Sequence, residues 1–93
     1  MTVALLSLEL YQPTSQSLKD KRMVLRRLKD RLKATNVAVA EGAYQDVWQR
    51  AGLGVVTVAS ADAGAEQTLT SVLREIERLE PGLVTESRVE YLR

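Results

Sequence analysis

Hydrophobic and polar positions change period four times along the chain, and each change marks an element. From Val3 to Tyr11, Ala4, Leu6, Leu8 and Leu10 fall on one side of an extended strand, and Val3, Leu5, Ser7, Glu9 and Tyr11 on the other. Gln12-Pro13-Thr14 ends that strand, because Pro13 has no N–H for a ladder. Ser17, followed three residues later by Asp20, forms a capping box that opens a helix running to about Thr35. Leu18, Leu25, Leu28 and Leu32, with Val24 alongside, make an apolar stripe about 120° wide, enough to dock one face on a sheet.

Asn36 to Ala43 is short and β-branched at Val37 and Val39, as a strand directly after the helix would be. Tyr44 to Arg50 reads as a polar loop carrying the only tryptophan. Ala51 to Ser60 is the most strand-like run and belongs near the sheet centre, with Gly52 and Gly54 marking a bend, a bulge or a close backbone approach. Asp62 is placed to cap a second helix, in which Ala65, Leu69, Val72, Leu73, Ile76 and Leu79 keep a 3-4 spacing until Glu80-Pro81-Gly82 stops it. Leu83 to Leu92 then alternates, with Ser87, Val89 and Tyr91 opposite Glu86, Arg88 and Glu90. The order β-α-β-β-α-β with right-handed crossovers predicts an α+β, ferredoxin-like sandwich: a four-stranded antiparallel sheet with two helices on one face, formed by residues 1–93 as one domain.

Composition narrows the chemistry. The 93 residues include neither cysteine nor histidine, so disulfides, thiolate nucleophiles, imidazole acid-base catalysis and Cys/His zinc sites are excluded. The serines have no histidine to activate them, and Glu9, Glu41 and Asp46 show no local acid-base pairing pattern. Gly52 and Gly54 match neither a phosphate loop nor a dinucleotide fingerprint. The expectation is a protein that is not an enzyme and holds no cofactor. Met1 to Leu10 is too short for a membrane span and lacks the basic start and cleavage site of a secretory signal, which predicts a cytoplasmic protein with no membrane partner.

Charge is nearly balanced at +1 but unevenly spread. Residues 17–34 hold eight Lys or Arg against two Asp, a local +6, whereas residues 35–93 hold five basic and nine acidic groups, a local −4. Within the first helix Lys19, Arg22, Arg26, Lys29 and Lys33 follow 3-4-3-4 spacing, which lines them along a strip about 80° wide and roughly 21 Å long. Three readings fit this ridge. It can keep the helix solvated, its stems covering apolar rim; it can contact nucleic-acid phosphates; or it can receive an acidic protein partner.

The sheet face without helices is expected to present Val3, Leu5, Tyr11, Val37 or Val39, and some of Leu53, Val55 and Thr57, more apolar than solvent exposure favours. Base stacking on the two middle strands would call for aromatics, yet the chain has no phenylalanine and the third strand no aromatic. Pairing of two chains through this face or an edge strand accounts for the apolarity more simply and predicts a homodimer. Trp48, with Arg50 two residues on, can be a packing or partner anchor or a platform for a base.

Three segments carry a family resemblance: Ser17-Leu18-Lys19-Asp20-Lys21-Arg22 followed by Leu28-Lys29-Asp30-Arg31; Asn36-Val37-Ala38-Val39-Ala40-Glu41; and Asp46-Val47-Trp48-Gln49-Arg50-Ala51 with Leu53-Gly54. Over nearly the whole chain they resemble the bacterial YlxP-like family of small proteins, with Gly42-Ala43-Tyr44 departing from that family's more polar or acidic stretch. The resemblance implies a ferredoxin-like fold and carries no activity across. Genes of that family often lie between those for a translation initiation factor and a ribosome-binding factor, which implies a place in ribosome biogenesis and makes rRNA or a ribosomal subunit the expected partner of the ridge.

Overall fold

The computed structural model describes residues 1–92. Its elements are β1 (Thr2–Tyr11), α1 (Leu18–Leu32), β2 (Ala38–Ala43), β3 (Arg50–Ala59), α2 (Asp62–Leu79) and β4 (Val84–Leu92). They form one antiparallel sheet in the order β2-β3-β1-β4, so both β-α-β crossovers skip a strand and the hairpin strand β3 pairs with β1 at the centre.

Most boundaries follow the predicted signals; β2 begins at Ala38 rather than Asn36, and the ends of the two helices differ as well. The α1 helix ends at Leu32 rather than near Thr35: Thr35 turns back, its hydroxyl and backbone N–H both donating to the Leu32 carbonyl at 2.6 and 3.0 Å and satisfying a helix-end acceptor. Asp62 does not cap α2. Ala61 occupies the cap position without a side-chain bond, and Asp62, in the first turn, accepts from the Thr2 hydroxyl at 2.5 Å, tying that turn to the first residue of β1. At α1 the cap is as predicted, Ser17 Oγ accepting from the Asp20 N–H at 3.1 Å. The Asp20 carboxylate accepts from the N–H of Gln16 at 3.0 Å, one residue before the cap, and not from that of Ser17 as the predicted box would have it.

The helix-covered face of the sheet carries Ala4, Leu6, Leu8 and Leu10 of β1 and Ala51, Leu53, Val55 and Thr57 of β3, all buried. Val24, Leu25, Leu28 and Leu32 of α1 and Ala65, Leu69, Val72 and Ile76 of α2 close over them. The expected open face is corrected here. Leu53, Val55 and Thr57 belong to the core, and Val39, opposite Val55, shares their side, while Val37 packs against the same cluster. The open face of β3 is instead Gly52, Gly54, Val56 and Val58, opposite Glu9, Ser7, Leu5 and Val3. Two adjacent valines, Val55 and Val56, hide the alternation from a reading of the run alone.

The result is an open face with two ends. Val58, Val3 and Leu92 stand side by side across three strands, with Val56, Leu5 and, on β4, Glu90 paired to Arg88 in the next row. Toward the other end lie Ser7, Glu9 and Tyr11, flanked by Arg88 and Glu86 of β4.

Candidate functional site

The α1 helix has three sides, and its seven basic residues before the C-cap divide among them. The buried stripe is Lys21, Val24, Leu25, Leu28 and Leu32. At 100° per residue, Arg27 and Arg31 lie about 100° to one side of it and the predicted ridge roughly 120° to the other. Arg27 pairs with Glu80, and Arg31 Nε lies 2.9 Å from Glu75 Oε1, so this side is turned to α2 and its charge is met there. Arg78 also holds Glu75; its hydrogen bond, and then the charges of Arg78 and Arg31, keep the Glu75 carboxyl below its ordinary range, while the same hydrogen bond and the Glu75 charge raise Arg78.

The ridge itself points away from α2. Lys19, Arg22 and Arg26 are exposed and Lys29 half-buried. Among the described residues none of these four makes an ion pair or a side-chain hydrogen bond. Lys33, the C-cap residue, lies 3.3 Å from Asp30, an exposed pair of the kind worth about 0–1 kcal/mol. The five-residue row of the sequence is thus four unpaired cations with a fifth loosely paired at its end.

Lys21 is the residue that the charge pattern concealed. Though counted among the basic residues of α1, it is only 4% exposed. Its ammonium donates to the carbonyls of Tyr44, Gln45 and Arg50 at 2.8, 3.2 and 3.2 Å, which use all three of its N–H groups, and Glu41 Oε2 stands 3.0 Å away as counter-charge. A signal for this was present: Lys21 falls in phase with Val24, Leu25 and Leu28, on the apolar side where a lysine stays only if paired.

The clamped loop carries most of the chain's aromatic surface. Trp48 is 52% exposed and borders a recess of about 10 Å³ with Leu10, Lys21, Val24 and Leu83, room for about one water. Tyr44 adopts φ +60°, a region aromatic side chains rarely occupy. Its hydroxyl donates to Glu9 Oε1 at 2.9 Å, and the Arg50 guanidinium lies 5.7 Å from its ring centre. Arg50 pairs in register with exposed Tyr11, so the predicted Trp48 and Arg50 stand at one end of the sandwich with Tyr44 and Tyr11. The loop is also tied to the β1–α1 connection, since the Gln12 N–H donates to the Gln49 carbonyl at 2.8 Å and the Gln49 amide to the Pro13 carbonyl at 3.2 Å.

Among the described residues no cluster of three or more acidic side chains could hold a metal ion, and no helix is long and apolar enough to cross a membrane.

Sheet order, strand direction and the placing of both helices on one face define a ferredoxin-like α+β sandwich, and solved structures of that fold are similar to it. A dimeric ferredoxin-like protein from an uncultured marine organism matches with a TM-score of 0.55 at 13% identity, over 98% of this chain and 86% of that one. A de novo designed protein with a ferredoxin fold matches with a TM-score of 0.53, also at 13% identity, over 99% and 83%. At that identity the likeness is one of fold alone. No curated protein matches the sequence. The chain belongs to the family described as protein of unknown function DUF503, which it matches over residues 3–89; this is compatible with the YlxP-like resemblance.

Proposed function

We propose that this chain binds RNA through the free side of α1, with Lys19, Arg22, Arg26 and Lys29 on phosphates and Lys33 at the end of the row, and that it performs no reaction on what it binds. The observation that carries this reading is the contrast on one helix. Lys21, Arg27 and Arg31, which face protein, each meet a carboxylate, whereas four of the five cations that face solvent meet none. Like charges at i, i+3 and i+4 cost about 0.2–0.5 kcal/mol per neighbouring pair, a cost that a line of phosphates turns into attraction. The resemblance to a family encoded beside translation and ribosome-assembly genes makes ribosomal subunits the first partner to try.

Affinity for an unstructured RNA, measured across a salt series, tests the reading. Engagement of all five cations by a single strand gives a log-log slope of about −3.5, and a slope shallower than about −1 rejects the ridge. Arg22→Gln/Arg26→Gln is expected to flatten that slope by about 1.4 and weaken binding, while Arg27→Gln/Arg31→Gln, on the side facing α2, leaves the slope unchanged. Equal effects from the two pairs would mean that binding follows net charge and not this side of the helix.

A second reading concerns assembly. The apolar end of the open face, Val3, Leu5, Val56, Val58 and Leu92, favours pairing of two copies, and one of the fold's solved relatives is itself described as dimeric. A homodimer that offers α1 to an acidic protein instead of RNA would share this face, and would show binding that survives ribonuclease.

A further inference from the structure

We infer that the loop from Tyr44 to Arg50 stacks an unpaired nucleobase of the same RNA, so that the protein prefers single strands to duplex. This rests on the phosphate-binding reading of α1 and adds a second, chemically different contact.

Four observations converge on the loop. Three of the chain's four aromatic side chains, Tyr11, Tyr44 and Trp48, are exposed at one end of the sandwich, Trp48 on the α1 side beside Val24 and Tyr11 and Tyr44 toward the open face with Glu9, while Tyr91 lies toward the opposite end of the sheet, paired with Ala4. The loop holding two of them is fixed before any ligand arrives, by the three carbonyls on Lys21 and by the bonds to Gln12 and Pro13, so little ordering opposes binding. Tyr44 is kept at a positive φ where glycine would sit without strain, and its ring is steadied by Glu9 at the hydroxyl and by Arg50 beside it. Backbone strain spent on presenting an exposed ring suits a ring with a task. Lastly, the clamp residue Lys21 lies between Lys19 and Arg22, so the first turn of the ridge is one lysine side chain from the Tyr44 and Gln45 carbonyls.

The charges around the loop decide which part of a nucleotide it takes. Asp46 within the loop and Glu9 at the Tyr44 hydroxyl outnumber the single cation Arg50 and disfavour a phosphate, and the recess beside Trp48 is too small to admit a ring edge-on. What remains is exposed aromatic surface, Trp48 on the side of α1 and Tyr44 on the other, and every base has a π-face to lay on it. This differs from stacking on the sheet itself, where β3 offers glycine and valine.

Trp48 is the only tryptophan, so its emission reports on the loop directly. A single-stranded polyuridine oligomer, an RNA duplex of equal length and an abasic oligomer are titrated at the same salt. The single strand is expected to quench Trp48, the duplex and the abasic strand to leave it nearly unchanged. Tyr44→Ala/Trp48→Ala should weaken single-strand binding about tenfold or more without altering its salt slope, since no phosphate contact is lost. Trp48→Phe should keep most of the affinity, and thermal melts of each variant verify folding. If single strands bind in an Arg22- and Arg26-dependent way but Trp48 emission does not move and the double alanine variant binds as well as the parent, the loop inference falls and the ridge stands. Equal quenching by the abasic strand also overturns stacking. If no RNA binds at all, both readings fall.

Discussion

Lys21 of α1 and Glu41 of β2 lie 3.0 Å apart, and their meeting joins two chemistries that the sequence keeps twenty positions apart. The lysine arrives on the buried side of its helix and gives its three protons to two carbonyls of the β2–β3 connection and to that of Arg50 at the start of β3, so that one side chain closes the six-residue connection against α1. A buried cation with a counter-charge and filled hydrogen bonds is tolerated; a buried group stripped of its partner is not.

Lys21→Met therefore removes more than a charge. Three carbonyls lose their donor and the largely covered Glu41 loses its cation, a change expected to cost about 3–5 kcal/mol by urea denaturation. Glu41→Gln leaves the three carbonyl bonds in place and is expected to cost less. If Lys21→Met costs no more than Glu41→Gln, the carbonyl clamp is not what holds the loop. Amide exchange in residues 44–50 should quicken selectively in Lys21→Met.

The fold was legible in the chain because period and punctuation agree. Alternation in β1, 3-4 spacing in both helices, and the stops at Pro13 and Pro81-Gly82 each point to the same element order. The ridge was legible for a similar reason, since spacing alone places Lys19, Arg22, Arg26, Lys29 and Lys33 on one side of a helix. Which cations are free was not, because that depends on Glu75 and Glu80 arriving from α2 and on Glu41 arriving from β2. The facing of β3 also escaped, its helix side and open side both being valine-rich at residues 55 and 56.

Gly52 and Gly54 differ in a way their spacing conceals. The register of β2 against β3 shifts between Glu41 and Ala43, and this brings Ala43 over Gly52, where an added Cβ would meet the Ala43 Cβ at 2.9 Å and its backbone N at 3.2 Å. Gly52→Ala is expected to destabilise by about 1–3 kcal/mol, as overpacking does. At Gly54 the nearest atom would be Leu5 Cδ1 at 3.6 Å, an ordinary contact, so Gly54→Ala should be neutral or stabilising by about 0.4–1 kcal/mol through the unfolded chain. Thermal or urea unfolding of the two variants side by side checks the sign of each.

Acid should weaken the pairings of Glu75, first the one with Arg78 in its own helix and then the one with Arg31 of α1. The hydrogen bond from Arg78, aided by the Arg78 and Arg31 charges, lowers the Glu75 carboxyl from its ordinary 4.5 in the folded chain. Between that lowered value and 4.5 the unfolded chain binds the extra proton, so this contribution is complete above 4.5 and is lost as pH falls through the folded value. Glu75→Gln is expected to flatten the acid side of a stability-against-pH curve and to leave its neutral and alkaline portions parallel to those of the parent. The effect is modest, since solvent screens the group.

The apolar end of the open face makes the last expectation. Val58 is 45% exposed and Leu92 53%, and both are direct cross-strand neighbours of Val3, which puts a row of three apolar side chains across β3, β1 and β4 with Val56 and Leu5 beside it. A second copy seated on this row would bury it on both sides at once, as a two-fold interface does. Sedimentation equilibrium of the parent chain is then expected to show a dimer, and Val58→Lys, which plants a charge within the patch, a monomer. Because the ridge lies on α1, on the other side of the sheet, the monomeric variant should keep the RNA salt slope per chain. A parent that sediments as a monomer at every concentration would mean that this face stays open, and a variant whose salt slope collapses with dimerisation would mean that the two copies build the RNA surface together.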